Sequence, residues 1–590
     1  MSCEKEDRAV ITLQLGNYSN YVGAHFWNIQ EAGFVYSSTT GTKSLPDISN
    51  DVLFREGTSG IDKNDSQPTY TPRLVSVDLK GALGCLPLYG DLYNNDMTSI
   101  VRLNKSDTVP IWAGEVKIEK EQEKRKNEFL SHLDADEFKD ESVRKKQKND
   151  NNSILDDQDK DVCEYEEEKT ALSAQNYEEY KKIYNLDDQV NTWSDYLSCR
   201  FHPQTNVVAE EYIHGDMRTR PFDIFGLGYN YDNLAEDVED HIRFFAEEAD
   251  YLKGFHMFVD ANDSFGGVGC KIGELLADEY STKGKIAFPC IAYNTDSCKG
   301  AGNQQIHNLS QFLNTALTYK GLTGSCGLIT PLSLSKDTFP LKNNFRQMPH
   351  VNYQTNSHYH TSAILAAAVD TITLPWRSRR NRIDMTEILN KLNINGRKVA
   401  GAALSFPLPL RSNEYFVEFL ENIEKAAAQN DVNLHKKMNL TSITPGCHDV
   451  TKNIQAETWC LRGINREMFK PKRDMRSNKA PIYTGRYAMT DSVTGALFSH
   501  FDKMRETRRD YIQMPQSITC IDNSLPTGCP FPHVFQRSKI SKNGLLLNDT
   551  SNNTGNNMQI DFRSHIEGKK SLRFSLVYEN IFLILLQKMV

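Results

Sequence analysis

Phe255-His256-Met257-Phe258-Val259 is followed by a polar, glycine-rich run, Asp260-Ala261-Asn262-Asp263-Ser264-Phe265-Gly266-Gly267-Val268-Gly269. The first five residues read as a short buried strand. Beyond the glycines, Ile272, Leu275, Leu276 and Tyr280 recur at helical spacing, and after Gly284 the run Ile286-Ala287-Phe288 reads as a second buried strand. Strand, glycine loop, helix and strand at this spacing form a βαβ unit. Its crossover is nearly always right-handed, so its strands are parallel.

The same alternation extends outward. Upstream, Leu234, Val238, Ile242, Phe245, Ala249 and Leu252 recur three or four apart, which predicts an amphipathic helix stopped by Gly254. Near the N-terminus, Ile11, Leu13 and Leu15 alternate, Gly16 interrupts, and Tyr18, Val22, Phe26 and Ile29 take up helical spacing: strand, glycine turn, helix. Residues 73–79 read as a further strand ending at Gly81 and Gly84. Downstream, residues 363–374 form an apolar helix or strand, 385–392 a helix, 399–404 a strand, 414–428 a helix, and Val493, Leu497 and Phe501 mark a late helix. No internal repeat is present.

Composition bounds the rest. The chain has 590 residues, room for two to four compact units, with 39% hydrophobic and 25% charged residues. Residues 119–170 hold 18 acidic against 11 basic groups and almost no apolar stripe, so 104–190 is expected to be a disordered acidic insertion. With a net charge of -9, general nucleic-acid binding is excluded as an expectation. The longest apolar runs, 363–369 and 581–586, are far shorter than the ~20 residues that cross a bilayer. Twelve cysteines without a C-x-x-C pair imply free thiols in a cytosolic setting. The polar start, Met1 to Arg8, carries neither a signal nor an import peptide pattern.

Each motif has a competing plain reading. Gly266-Gly267-Val268-Gly269, between strand and helix, would let backbone N–H groups approach a phosphate, but glycines at such a turn also simply permit a tight bend. Asp384-Met385-Thr386-Glu387 starts a helix with two carboxylates. They can form a capping box, and this capping reading is preferred. Arg377, Arg379, Arg380 and Arg382 form a dense basic loop, either solvated or turned to an acidic partner. His358 and His360, read as alternate positions on a strand, give no metal site without a third ligand, and no metal is expected. Gly324-Ser325-Cys326-Gly327 lacks nucleophile-elbow spacing and reads as a glycine turn.

Residues 16–27, Gly16-Asn17-Tyr18-Ser19-Asn20-Tyr21-Val22-Gly23-Ala24-His25-Phe26-Trp27, resemble the first glycine loop and helix of tubulin. Residues 72–79 resemble the strand that follows, and Leu252-Lys253-Gly254-Phe255 leads into a degraded version of its phosphate loop. With residues 11–31, the acidic insertion and Trp193-Ser194-Asp195-Tyr196-Leu197, the chain resembles the Misato family of tubulin-related proteins over most of residues 8–535.

The resemblance implies a tubulin-like α/β fold. It divides into a parallel Rossmann-type domain (8–103 and 191–320), a second α/β domain (321–450), a C-terminal helical region (451–535) and a loose tail (536–590). It implies a role in mitochondrial distribution and morphology, a cytoplasmic location with a fraction at the mitochondrial outer membrane, and protein partners such as tubulin or the cytosolic chaperonin machinery. A guanine nucleotide, if held, would contact Gly16, Asn17, Asn20, Gly266, Gly267, Gly269 and Lys271. Departures fall at those same loops: Asn17-Tyr18 replaces a Gln-Cys pair, and Phe265 and Lys271 stand at the first and last glycines of the phosphate loop. The expectation is a non-enzyme that requires no cofactor, GTP binding and turnover through Asp384 and Glu387 being the alternative.

Overall fold

The computed structural model describes residues 8–34, 47–59, 67–88, 126–134, 184, 186–216, 219–292, 301–336, 344–411, 414–430, 438–447, 454–469, 490, 492–507, 517–535 and 570–576. Strand β1 (Arg8–Leu15) alternates as its sequence predicts, sending Ile11, Leu13 and Leu15 into one apolar core and Val10 into another on the opposite face. Gly16 ends the strand at a φ of 111°, and α1 (Asn17–Ala32) begins at once. This helix lies so close over β1 that a Cβ on Gly23 would overlap the Gln14 side chain.

A hairpin of β2 (Phe54–Ser59) and β3 (Gln67–Pro72) leads into β4 (Leu74–Lys80), which pairs parallel to β1. Further parallel strands are β5 (Asn206–Ile213), β6 (Tyr251–Asp260), β7 (Gly284–Cys290) and β8 (Leu328–Ile329), in the order β5-β4-β1-β6-β7-β8. The sheet grows from β1 in one direction through β4 and β5, and in the other through β6, β7 and β8. Growth reverses between β1 and β6, and a fold of this kind seats its ligand outside the carboxyl ends of the strands at that switch point.

Between these strands lie α2 (Phe225–Tyr229), α3 (Asp232–Glu248), α4 (Phe265–Glu279) and α5 (Ala301–Ser325). The βαβ unit β6-α4-β7 is present and parallel. Helix α3 buries Leu234, Val238, Ile242 and Phe245 as its spacing predicts, but it ends at Glu248. Leu252 therefore belongs to β6, and Gly254 is no stop signal. It sits inside the strand opposite Val10 and Gly284, where the Met385 Sδ and the Gly284 carbonyl leave no room for a Cβ.

Helix α6 (His358–Ile372) settles the segment read as helix or strand. Every side chain from Tyr359 to Ile372 is buried, because the helix packs against α1 on one side and the second sheet on the other. Two short helices follow, α7 (Leu374–Arg377) and α8 (Met385–Leu392). The second sheet has the order β10-β9-β13-β11-β12, from β9 (Ala400–Ser405), β10 (Thr441–Ser442), β11 (Glu457–Arg462), β12 (Ser517–Ile521) and β13 (Lys570–Leu576). Helices α9 (Phe416–Asn430) and α10 (Val493–Thr507) share its outer core, where Leu420, Trp459, Leu497 and Phe501 are buried.

Three expected boundaries shift. Helix α5 and strand β8 carry the first domain past residue 320. The division at 450 separates nothing, since β9 and β10 share a sheet with β11 and β12, and 451–535 is not purely helical. The tail contributes β13 to that sheet, paired antiparallel with both β9 and β11. Within the acidic insertion, residues 128–134 are helical and bury Phe129 in the main core, so this part packs. Residues 104–125, 135–183, 536–569 and 581–586 lie outside the described residues.

Candidate functional site

The carboxyl ends of β1, β4 and β6 converge at the switch point and bring three carboxylates with them. Asp260, the last residue of β6, is buried against the start of α1. Its Oδ2 accepts from the Tyr18 N–H at 2.8 Å, and its Oδ1 accepts from the Ser19 N–H and the Ser19 hydroxyl, both at 2.7 Å. These are backbone groups that a helix start leaves without intrahelical partners. Burial raises the Asp260 carboxyl to about 7, against the opposing pull of its three donors, and neighbouring Asp78 adds to the rise.

Asp78 lies beside it, two residues before the end of β4. It accepts from Asn20 Nδ2 at 2.9 Å, from Trp193 Nε1 at 3.0 Å and from the Leu79 N–H at 2.8 Å, while burial raises its pKa. Asp263 is partly accessible yet enclosed by protein, and burial together with Asp260 raises it well above the usual carboxylate range. Its Oδ1 accepts from the Phe265 N–H at 2.9 Å.

The residues expected to meet a nucleotide are therefore engaged by the protein itself. Gly16 approaches Asp260: a Cβ there would lie 2.5 Å from its Oδ2. Asn20 spans Asp78, the Val77 carbonyl and the Ser76 hydroxyl. Asn17 reaches the His214 ring at 3.2 Å. Tyr18 is buried, its hydroxyl donating to Thr361 Oγ1 at 3.1 Å, and burial raises its pKa.

Gly266, Gly267 and Gly269 do not form a loop. They lie in the first turns of α4, and each is small because of a different neighbour: Thr318 of α5 for Gly266, the Phe225 carbonyl and Tyr229 N–H of α2 for Gly267, and Val259 of β6, 2.6 Å from an added Cβ, for Gly269. Phe265 is buried edge-on to Phe222, with ring centroids 5.1 Å apart. Lys271 turns away to Asp232 at 3.2 Å and toward the Tyr229 ring. It neutralises nothing at the switch point.

At the opposite end of the sheet, Asp384 and Glu387 separate. Asp384 pairs with Arg8 and Lys253, each at 3.3 Å, and Glu387 with Lys391 one turn along at 2.7 Å. The preferred capping box is not formed, since Asp384 makes no side-chain capping bond. Its carboxylate faces Arg8 and Lys253 instead.

The basic loop also divides. Arg377 is fully buried and bonds to Asp370 at 2.8 Å and to Gln30, while Arg462 of β11 holds the other Asp370 oxygen. Burial lowers Arg377 to about 9, still charged at neutral pH, so this residue is an internal tie and cannot be a partner-binding group. Arg380 bridges Asp47 and Asp522, and Arg379 lies 3.7 Å from Asp51. Arg382 is partly buried, which lowers its pKa. His358 and His360 lie in the first turn of a helix, not on a strand. His358 packs on Tyr18 and Tyr21, and His360 bonds to Asp187 at 2.8 Å.

Sequence reasoning missed Asp78, Asp260, Asp263 and the Gln30-Asp370-Arg377-Arg462 network. A signal for Asp260 was present: an acid closing an apolar strand, immediately before the glycines, stands where backbone amides gather. Nothing local marks Asp370, whose partners come from segments 340, 7 and 92 residues away.

Comparison with known proteins agrees with this architecture. Residues 8–135 match the Misato Segment II tubulin-like domain, and residues 185–378 match a tubulin domain. The chain is 30% identical to Protein misato of Drosophila melanogaster over 550 residues, covering 92% of this chain and 86% of that protein. It is 32% identical to Protein misato homolog 1 of Danio rerio, covering 91% and 84%, and 32% identical to Protein misato homolog 1 of Homo sapiens, covering 92% and 85%. With relatives this similar along nearly their whole lengths, and tubulin-like domains matched across the first sheet and its switch point, the chain belongs to the Misato family and has a tubulin-like fold.

Proposed function

We propose that the protein is a non-catalytic, tubulin-like organiser of mitochondrial distribution and morphology that works through protein contacts. The observation that carries the non-catalytic part is the state of the two helix starts at the switch point. The Tyr18 and Ser19 amides of α1 and the Phe265 amide of α4 already donate to carboxylates, and the Gly266 and Gly267 amides donate to the carbonyls of Asp263 and Ser264. A nucleotide phosphate would find these donors taken and carboxylates in its place. The mitochondrial role rests on the family resemblance, as do the partners, tubulin or the cytosolic chaperonin machinery among them. A cytoplasmic location with peripheral attachment to the outer membrane is part of the same reading. It is supported by the fact that, among the described residues, no helix is long and apolar enough to cross a membrane.

GTP turnover tests the catalytic half. Wild type and Glu387→Gln are compared at concentrations that favour assembly, and neither hydrolyses GTP on this reading. Concentration-dependent turnover by the wild type, lost in Glu387→Gln, establishes an assembly-dependent GTPase instead. Protease added to intact mitochondria tests the location: the mitochondrial fraction is digested if it sits on the outer face, and full protection places it inside.

A further inference from the structure

We propose that Asp260 is a tethered anion: it supplies from within the chain the negative charge that a nucleotide phosphate supplies at the start of α1, and so holds this helix permanently in a liganded arrangement. The inference rests on the reading that the switch point holds no nucleotide, and adds what replaces it.

A phosphate at such a position would receive backbone N–H groups at a helix N-terminus, a hydroxyl where one is available, and a glycine that permits close approach. Asp260 receives all three kinds of contact. The Tyr18 and Ser19 N–H groups and the Ser19 hydroxyl converge on its two oxygens within 2.8 Å. Gly16 supplies the approach, at a φ of 111° and with a Cβ position 2.5 Å from the carboxylate. Asp260, Ser19 and Tyr18 are all buried, so water does not compete for these donors. Asp263 repeats the device on α4 through the Phe265 N–H. Both acids come from the short segment 260–263, so one connection closes two helix starts.

The consequence is a constitutive state. A tubulin-like domain that took its anion from solution would loosen α1 whenever that ligand left. Here the carboxyl group cannot leave, it carries its negative charge above about pH 7, and the other end of α1 is tied through Gln30 to Asp370, which also holds Arg462 of the second sheet. The orientation of the second sheet relative to α1 is then independent of nucleotide.

The test uses the full chain at pH 8, with thermal unfolding of wild type, Asp260→Gly and Asp260→Asn in chloride, formate and inorganic phosphate at matched ionic strength. Asp260→Gly leaves an anion-sized space, so its melting temperature falls and is then raised saturably by formate or phosphate. Asp260→Asn fills the space without charge and gains no more from these anions than the wild type does. General stabilisation by phosphate appears equally in all three proteins and is subtracted by the wild-type control. An Asp260→Gly protein that melts like the wild type, or whose loss neither anion restores, overturns the inference. If Asp260→Gly does not fold, amide exchange in the wild type decides: Tyr18 and Ser19 are expected to be as protected as the helix interior, and exchange at the rate of open amides overturns it. A wild type that carries guanine nucleotide defeats the underlying reading. A nucleotide-free wild type with an anion-indifferent Asp260→Gly defeats only this inference.

Discussion

Asp260, at the end of β6, accepts two hydrogen bonds of 2.7 Å from Ser19, one from its N–H and one from its hydroxyl, so the switch-point crevice of this tubulin-like domain is closed from inside. The contact joins the third residue of α1 to the segment that in sequence looks like a phosphate loop. It converts a place built for an exchangeable anion into a fixed polar junction, and the following expectations derive from that junction and its surroundings.

The three glycines of α4 should behave as packing residues. Gly267→Ala would press a Cβ into the Phe225 carbonyl and the Tyr229 N–H, both backbone atoms that cannot swing aside. Overpacking of this kind costs ~1–3 kcal/mol. Chemical denaturation of nucleotide-free protein should show the loss in full, whereas a phosphate-binding role would leave the nucleotide-free stability unchanged.

Phe245, fully buried on α3 beside His202, should be among the more costly side chains to remove. Phe245→Ala is expected to lose ~3–5 kcal/mol. An unchanged melting temperature would contradict the placement of α3 against the first sheet.

Arg377 and Arg380 stand three residues apart and should respond in opposite ways. Arg377→Ala leaves Asp370 with Arg462 as its one remaining guanidinium and removes the donor to the Gln30 Oε1, a loss of ~3–5 kcal/mol for a broken buried pair. Arg380 is 64% exposed, and Arg380→Ala should change stability by ~1 kcal/mol or less, with a measurable salt dependence. Equal tolerance of both substitutions would mean that Arg377 is not the internal tie described above.

The pH dependence follows from the direction of the Asp260 shift. Its folded-state value of about 7 lies above the ~3.9 of an unfolded chain, so between these values the native protein binds the proton more tightly. The stability contributed by protonation is therefore complete below about pH 4 and is lost as pH rises through 7. Asp78, Asp263, Cys290 and Tyr18 are the ionisable groups around it, and Asp260→Asn leaves all of them in place. The difference in unfolding free energy between wild type and Asp260→Asn should thus fall with rising pH across this window. A flat difference would contradict the shift.

Much of the first sheet was legible because its signals are local. The alternation of Ile11, Leu13 and Leu15, the helical spacing from Leu234 to Phe245, and the strand-glycine-helix order around Gly266 each depend on neighbours in sequence. What was misread depended on partners far away. Gly266, Gly267 and Gly269 looked like a loop, because glycine is a poor helix former, and only the closeness of α2, α5 and β6 makes it the residue that fits there. Arg377 looked exposed among its arginines until Gln30 and Asp370, from α1 and α6, enclosed it. Asp384 carried the spacing of a capping box, yet Arg8 and Lys253, at the starts of β1 and β6, outcompete the local amide. Each error has one form: a local pattern was overridden by charge or backbone brought in by the fold.

The central claim is that the switch point is occupied by the protein's own carboxylates and not by a nucleotide. The most direct test is to denature purified full-length protein and quantify guanine nucleotide in the extract by chromatography. The account predicts far less than one nucleotide per chain, with no increase after incubation of the native protein with GTP and magnesium. Stoichiometric GDP or GTP would contradict it, because Asp260 and Ser19 could not then be in the contact seen here.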